Sequence, residues 1–289
     1  MSEKASAIAH GAATIVNAMA LGKGAAFGVS LYTKAEVKLT DEAGVVETKI
    51  SSDSTESTRL AEKTVARVLH HFNAEKRFGA KVETWSNIPI AKGLKSSSAA
   101  ANAIALAATA ALGKTLTDLE TVKLGVDAAF DAKVTVTGAF DDACASFFGG
   151  IVVTDNVKRE IVCQLPFSQD LVVLFHVPLK KAYSADSDVT RLRTLKPLVQ
   201  VAYDEALAGK FWDALTLNGL IHSSVWSYDA SIMVDALAAG AVAAGLCGKG
   251  PAVTAVSPED RTDSVRGALQ KHGGEVLLAH LNKEKAKVI

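Results

Sequence analysis

Apolar and polar residues alternate over 26–50, broken by the turn signal Asp41-Glu42-Ala43-Gly44, and this predicts a meander of strands. Over 55–72 the period lengthens. Leu60, Val65, Val68, Leu69 and Phe72 trace the stripe of an amphipathic helix. A strand is expected at 81–85. The stretch 96–112 is apolar nearly all round and stops at Gly113, which predicts a buried helix. A further helix is expected at 118–130, and β-rich runs occupy 150–154 and 171–177. The second half begins near residue 160. Its pattern gives a strand, helices at about 188–208, 211–225 and 229–244, a strand at 252–256, a helix at 260–272 and a strand at 275–279. Strands and helices mix in both halves, so the fold class is α+β or α/β. No linker, low-complexity tract or internal repeat is evident. The boundary falls between 155 and 165 and is drawn at 160, dividing 1–160 from 161–289.

With 289 residues, 49% of them hydrophobic, the chain can bury a large core. Lys plus Arg and Asp plus Glu are equal at 31 each, so no net field favours nucleic acid or acidic lipid, and neither is expected as a partner. Cys144, Cys163 and Cys247 are far apart, with no C-x-x-C pair. That argues against a disulfide framework or a zinc site and fits a reducing cytosol. The N-terminus lacks the long apolar stretch of a signal peptide. The longest small and apolar run, 99–112, contains Asn102 and Thr109 and is shorter than the roughly 18 residues of a membrane span. A soluble cytoplasmic protein is expected. The sequence leaves room for a homodimer.

Candidate chemistry concentrates in four segments. In Pro89-Ile90-Ala91-Lys92-Gly93-Leu94-Lys95-Ser96-Ser97-Ser98-Ala99, a loop leaves a strand and opens a helix at three serines. The first N–H groups of a helix lack intrahelical partners and carry the positive end of its dipole, so such a terminus suits phosphate. Gly93 would let the backbone approach a ligand, and Lys92 and Lys95 would add charge. The plainer reading is a serine-capped helix with two solvated lysines. Gly113-Lys114-Thr115 imitates the end of a Walker A motif. Ala108 stands where that motif needs glycine, and the tripeptide closes a helix instead of opening one.

In 137–150, Asp141 and Asp142 precede an apolar run. That placement suits a general base, or else an ordinary helix cap with a first-turn acid. The block from Ala9 to Gly28 is dense in small residues with Thr14, Asn17 and Lys23 interspersed, and reads as ligand-facing polar groups or as a tightly packed strand. Gly245-Leu246-Cys247-Gly248-Lys249-Gly250-Pro251 is a glycine-rich turn ahead of a strand.

Taken in chain order, the segments resemble the motifs of the GHMP kinases, and most closely those of the archaeal shikimate kinase branch. The run 89–99 is similar to the family's P-x-x-x-G-L-x-S-S, with Lys95 and Ser98 where relatives often carry small residues. Asp142, Ser146 and Gly149 fit D-x-x-x-S-x-x-G, and 245–252 resembles the third motif. The block at 9–28 and the pattern Tyr228-Asp229, Met233, Ala236-Leu237, Gly240-Ala241 resemble the archaeal branch.

The resemblance implies a two-domain fold: an N-terminal α/β domain with a left-handed βαβ crossover, a C-terminal ferredoxin-like domain, and ligands in the cleft between them. It implies that Pro89, Ile90, Ala91, Lys92, Gly93, Leu94, Lys95, Ser96, Ser97, Ser98 and Ala99 wrap the ATP phosphates beside Gly248, Lys249 and Gly250. Ser97 takes the Mg²⁺-contacting position, and in one branch Asp131 falls where a metal-binding acid lies. Asp142 is the expected base, with Asp141 as its fallback or partner. Many relatives carry a lysine where Ala12 sits, and Lys23 is a tempting replacement. The implied acceptor is shikimate, a carboxylate with three hydroxyls. Thr14, Asn17, Lys23, Arg191 and Tyr228 are its candidate contacts, while Lys180, Lys181 and Arg193 are charges of the same stretch. A homoserine or mevalonate acceptor, or a non-catalytic ligand sensor on the same fold, is the alternative.

Overall fold

The computed structural model describes residues 3–90, 92–135, 137–167, 170–179 and 190–289. Ala91 and the polar segment holding Lys180, Lys181, Asp186, Ser187 and Asp188 lie outside the described residues.

Two long strands, β1 (Lys4–Val16) and β2 (Lys23–Thr40), pair antiparallel, with register shifts at His10/Gly11 and Thr14/Val16. β2 is long enough to serve two further neighbours. Its first part pairs with β5 (Ile151–Asp155) and its second with β4 (Gly79–Ser86). β3 (Val46–Ile50) lies beyond β4 and parallel to it, with α1 (Arg59–His71) in the connection. β6 (Glu160–Leu165) extends the sheet from β5, and the short β11 (Lys287–Val288) extends it from β1, giving seven strands.

The strands expected over 26–50 form, but they do not meander. β4 lies between β2 and β3, because a parallel pair needs a crossover and α1 supplies one. The first unit also runs past the expected boundary at 160, since β6 belongs to its sheet, and the C-terminal β11 returns to it.

α2 (Ser96–Ala111) and α4 (Phe140–Phe148) pack with α1 against this sheet, and α3 (Asp118–Asp131) packs on those three helices. α3 starts at a capping box in which Thr117 and Glu120 satisfy each other's backbone N–H groups. α2 is rich in alanine and buried on most faces, and its short side chains allow close approach. A Cβ on Gly125 would stand 3.3 Å from the Cβ of Ala101. Phe140 and Phe147 of α4 are fully buried in the same core, each worth about 1.5–3 kcal/mol of transfer free energy.

The second sheet has the order β10-β7-β9-β8, all neighbours antiparallel. Its elements are β7 (Val172–Val177), α5 (Thr190–Arg193), α6 (Lys196–Leu207), α7 (Phe211–Trp226), α8 (Ser231–Ala238), β8 (Ala243–Leu246), β9 (Val253–Ser257), α9 (Thr262–Gln270) and β10 (Glu275–His280). Strand order and connection are those of a ferredoxin-like β-α-β-β-α-β unit with extra helices. The helix expected over 229–244 stops at Ala238. Gly240 turns the chain at φ +107°, and the small apolar residues after it pair with β9 as β8. Run length and composition alone do not separate these two outcomes.

A second core cluster joins the two units. Ile15 and Phe27 of the first sheet share it with Phe175, Leu215 and Cys247 of the second unit, and Leu94 of the phosphate loop and Ala99 in the first turn of α2 lie in it too. The loop is thereby anchored where the units meet. Among the described residues no helix is long and apolar enough to cross a membrane.

Candidate active site

A cleft of about 450 Å³ opens at this junction. β4 ends at Ser86, the loop turns through Gly93 at φ +91° and Lys95 at φ +65°, and α2 begins at Ser96. No side chain caps α2, so its first N–H groups face the cleft beside the hydroxyls of Ser96, Ser97 and Ser98. The glycine-rich turn after β8 forms the opposing wall, with Gly248, Lys249 and Gly250 lining the cleft. Gly248 sits at φ +64°, where other residues are strained, and a Cβ there would stand 2.5 Å from Nζ of Lys95.

Asp141 and Asp142 occupy the first turn of α4 and are almost fully buried. The Nζ of Lys95 lies 2.9 Å from Oδ2 of Asp142. Burial acts to lower the Lys95 ammonium, but the charge of Asp142, then those of Cys247 and Asp141, outweigh it and leave its pKa above the usual lysine value. Asp141 points the other way. Its Oδ1 accepts from Nδ2 of Asn156 at 2.8 Å, and Thr154 Oγ1 donates to Oδ1 of Asn156 at 2.6 Å and so fixes that amide. Burial, and secondly the neighbouring Asp142, raise the Asp141 carboxyl to about 7. Its Oδ2 would lie 2.4 Å from a Cβ on Gly24, so the β2 glycine makes room for the acid.

α4 is tied to its neighbours by polar contacts. Ser146 Oγ donates to the His10 carbonyl at 2.6 Å, and Asn102 Nδ2 donates to the Ala143 carbonyl at 2.9 Å. On the β1 side, Thr14 and Asn17 line the cleft, and the Asn17 N–H donates to Oδ1 of Asn218 on α7 at 3.1 Å. At the far end Leu60, Ile104, Val126 and Ala129 make an apolar lining.

The structure therefore brings together Ile90, Gly93, Lys95, Ser96, Ser97, Ser98, Gly248, Lys249, Gly250, Asp141, Asp142, Thr14 and Asn17. Other expected residues stand elsewhere. Lys92 donates to the carbonyls of Pro178 and Leu179, the latter at 2.6 Å, instead of facing the cleft. Leu94 and Ala99 are core residues, and Pro89 does not line the cleft. The Nζ of Lys23 sits 5.7 Å from the Tyr203 ring centroid, and neither Lys23 nor Tyr228 lines the cleft; Tyr228 packs behind Gly250. Arg191 is exposed on α5. Asp131, expected at the metal, has both carboxylate oxygens taken by Arg67, at 2.6 and 2.8 Å. Gly113 ends α2 at φ +65°, the helix stop expected of it. Among the described residues the cations lining the cleft are Lys95, Lys133 and Lys249, with no arginine. Asn156, Asn218 and Lys133 carried no local motif. Asn156 reaches the site through the pairing of β5 with β2, Asn218 through the packing of α7 on β1, and Lys133 from just past the end of α3.

An uncapped helix start facing a buried carboxylate pair across a two-unit α+β cleft is the arrangement of a small-molecule kinase. Residues 59–150 match the family model of the GHMP kinases N terminal domain. Mevalonate kinase from Methanococcus jannaschii superposes with a TM-score of 0.77 at 16% identity, covering 96% of this chain and 98% of that one. Homoserine kinase from Cytophaga hutchinsonii superposes with a TM-score of 0.76 at 17% identity, covering 100% and 98%. The chain belongs to the GHMP kinase family. It is 45% identical to the shikimate kinase of Methanosarcina mazei over 282 residues, 97% of this chain and 95% of that protein. It is 43% identical to the shikimate kinase of Pyrococcus abyssi over 253 residues, 87% and 90% of the two chains.

Proposed function

We propose that the protein transfers the γ-phosphoryl group of ATP to a hydroxyl of shikimate, giving ADP and 3-phosphoshikimate. The observation that carries this reading is that Ser97 and Asp142 line one cleft, so a phosphate at the start of α2 and a hydroxyl beside the acid share one space. Near-full-length identity to archaeal shikimate kinases favours that acceptor over homoserine or mevalonate.

The apolar end between Leu60, Ile104 and Val126 suits the base of the nucleotide, and the amides of Ser96 to Ser98 suit its phosphates. Asp142 takes the proton of the attacking hydroxyl as the new O–P bond forms and the bond to the ADP oxygen breaks. Thr14 and Asn17 face the acceptor end, and Lys249 supplies charge from the opposing turn.

Magnesium fits this donor set. Among the described residues no cluster of three or more His, Cys, Asp or Glu could cage an ion, and Mg²⁺ prefers phosphates, waters and one or two protein oxygens. The exposed Ser97 side chain at the cleft supplies one such oxygen. When bound, the ion neutralises charge developing on the phosphates. We assign the reaction to the cytoplasm, in keeping with three free cysteines.

ADP release measured across shikimate, homoserine and mevalonate tests the reading. Turnover on shikimate above the other two is expected. Preference for another acceptor, or Mg-ATP binding without turnover on any, would overturn it.

A further inference from the structure

The ion pair between Lys95 and Asp142 has a consequence for how the base works, one that rests on the proposed reaction. Among the described residues three lysines line the cleft, Lys95, Lys133 and Lys249, and Lys95 is ion-paired with Asp142. Ala12, where many relatives hold a lysine, is fully buried in the sheet opposite Gly28. Lys23, the expected replacement, lies over the Tyr203 ring. Lys92 is bonded to two backbone carbonyls. The ammonium of Lys95, on the phosphate loop, reaches the acid, with both side chains largely buried at 12% and 9% exposure.

Its backbone conformation bears on the same point. Lys95 sits at φ +65° and ψ 30°, the left-handed region, just before α2. A glycine there would cost nothing sterically, whereas a lysine carries backbone strain. Strain of that kind persists where function holds it. The left-handed turn coincides with a side chain that reaches Asp142 and whose Nζ lies against Gly248.

The two oxygens of Asp142 are then unlike. Oδ2 is held by Lys95, while Oδ1 is buried and has no hydrogen-bond partner among the described residues. A buried acceptor without a partner is rare and waits for one.

We propose that Lys95 is the positioning cation of the catalytic base: by holding Oδ2 of Asp142 it fixes the carboxylate in place and leaves Oδ1 to receive the acceptor proton. The phosphate loop thus supplies both the phosphate amides and the charge that the first motif lacks. In the step itself, the acceptor O–H proton goes to Oδ1, the acceptor oxygen bonds to phosphorus, and the phosphorus–oxygen bond to ADP breaks.

Lys95→Gln tests this with two readouts. In turnover, kcat should fall about 10- to 100-fold while the Kd for Mg-ATP, measured by calorimetry, changes far less. In carboxyl-carbon NMR of isotope-labelled aspartate at one fixed pH, with the Asp142 signal assigned by its loss in Asp142→Asn, that signal should move in Lys95→Gln, because Oδ2 has lost its ion-pair partner. The NMR readout needs no acceptor, so it stands even if the acceptor is not shikimate. Lys95→Gly, which relieves the left-handed strain, is the second variant should Lys95→Gln fail to fold, and the same shifts are expected. An unmoved Asp142 carboxyl signal, or a loss confined to Mg-ATP affinity, would overturn the proposal.

Discussion

The Cys247 thiol donates to the Gly93 carbonyl at 3.0 Å, and a Cβ built on Gly93 would stand 2.4 Å from the Cys247 carbonyl oxygen. The phosphate loop and the glycine-rich turn are therefore in backbone contact, and Gly93 sits at φ +91°, which other residues adopt only under strain. Gly93→Ala must push the two walls apart or distort the loop, at about 1–3 kcal/mol. We expect Mg-ATP affinity, read by calorimetry, to fall about tenfold or more on the same scale. Undiminished affinity would mean that the two walls do not cooperate in holding the nucleotide.

Asp142→Asn keeps the shape of the base and removes its proton affinity. If Asp142 takes the acceptor proton, kcat should fall about 100- to 10,000-fold. Mg-ATP binding should persist, since the amides at the start of α2 are untouched. Turnover equal to the parent enzyme would rule out this base assignment and shift attention to Asp141.

Much of this site was legible in the sequence because its parts are local. The loop into α2, the paired acids opening α4 and the turn after β8 each depend on a few consecutive residues whose turn and helix-start chemistry is short-range. What was not legible depends on pairing between distant strands. β4 inserts between β2 and β3, and Asn156 reaches Asp141 only because β5 pairs with β2. Helix and strand could not be told apart at 239–246, where small apolar residues have neither period and the partner β9 decides. Lys92 and Lys95 looked equivalent in sequence. The first turns to the carbonyls after β7 and the second to Asp142, a difference set by the left-handed turn at Lys95.

The raised Asp141 carboxyl gives the fold a pH dependence of definite sign. The folded-state value is about 7 against an ordinary 3.8, through burial first and Asp142 second. The native protein therefore holds this proton more tightly than the unfolded chain. Its stabilising effect is complete below about pH 4 and is lost as pH rises to about 7. Asp141→Asn keeps an acceptor for Asn156 and carries no charge. Urea unfolding across this window should show the variant gaining on the parent by on the order of a few kcal/mol as pH rises. Parallel stability curves would show that Asp141 is ionised throughout.

Asp131 separates a structural acid from a metal ligand. It closes α3, is partly exposed, and gives both oxygens to the Nε and Nη2 of Arg67. That pair holds its carboxyl below the usual range, chiefly through the Arg67 hydrogen bond. An ion pair of this exposure contributes about 0–1 kcal/mol. Asp131→Ala should therefore lower unfolding free energy by that small amount and leave the Mg²⁺ concentration for half-maximal rate where it was, because Asp131 does not line the cleft. A raised Mg²⁺ requirement with unchanged stability would restore Asp131 as a metal-binding acid and require the Arg67 pair to open when the nucleotide arrives.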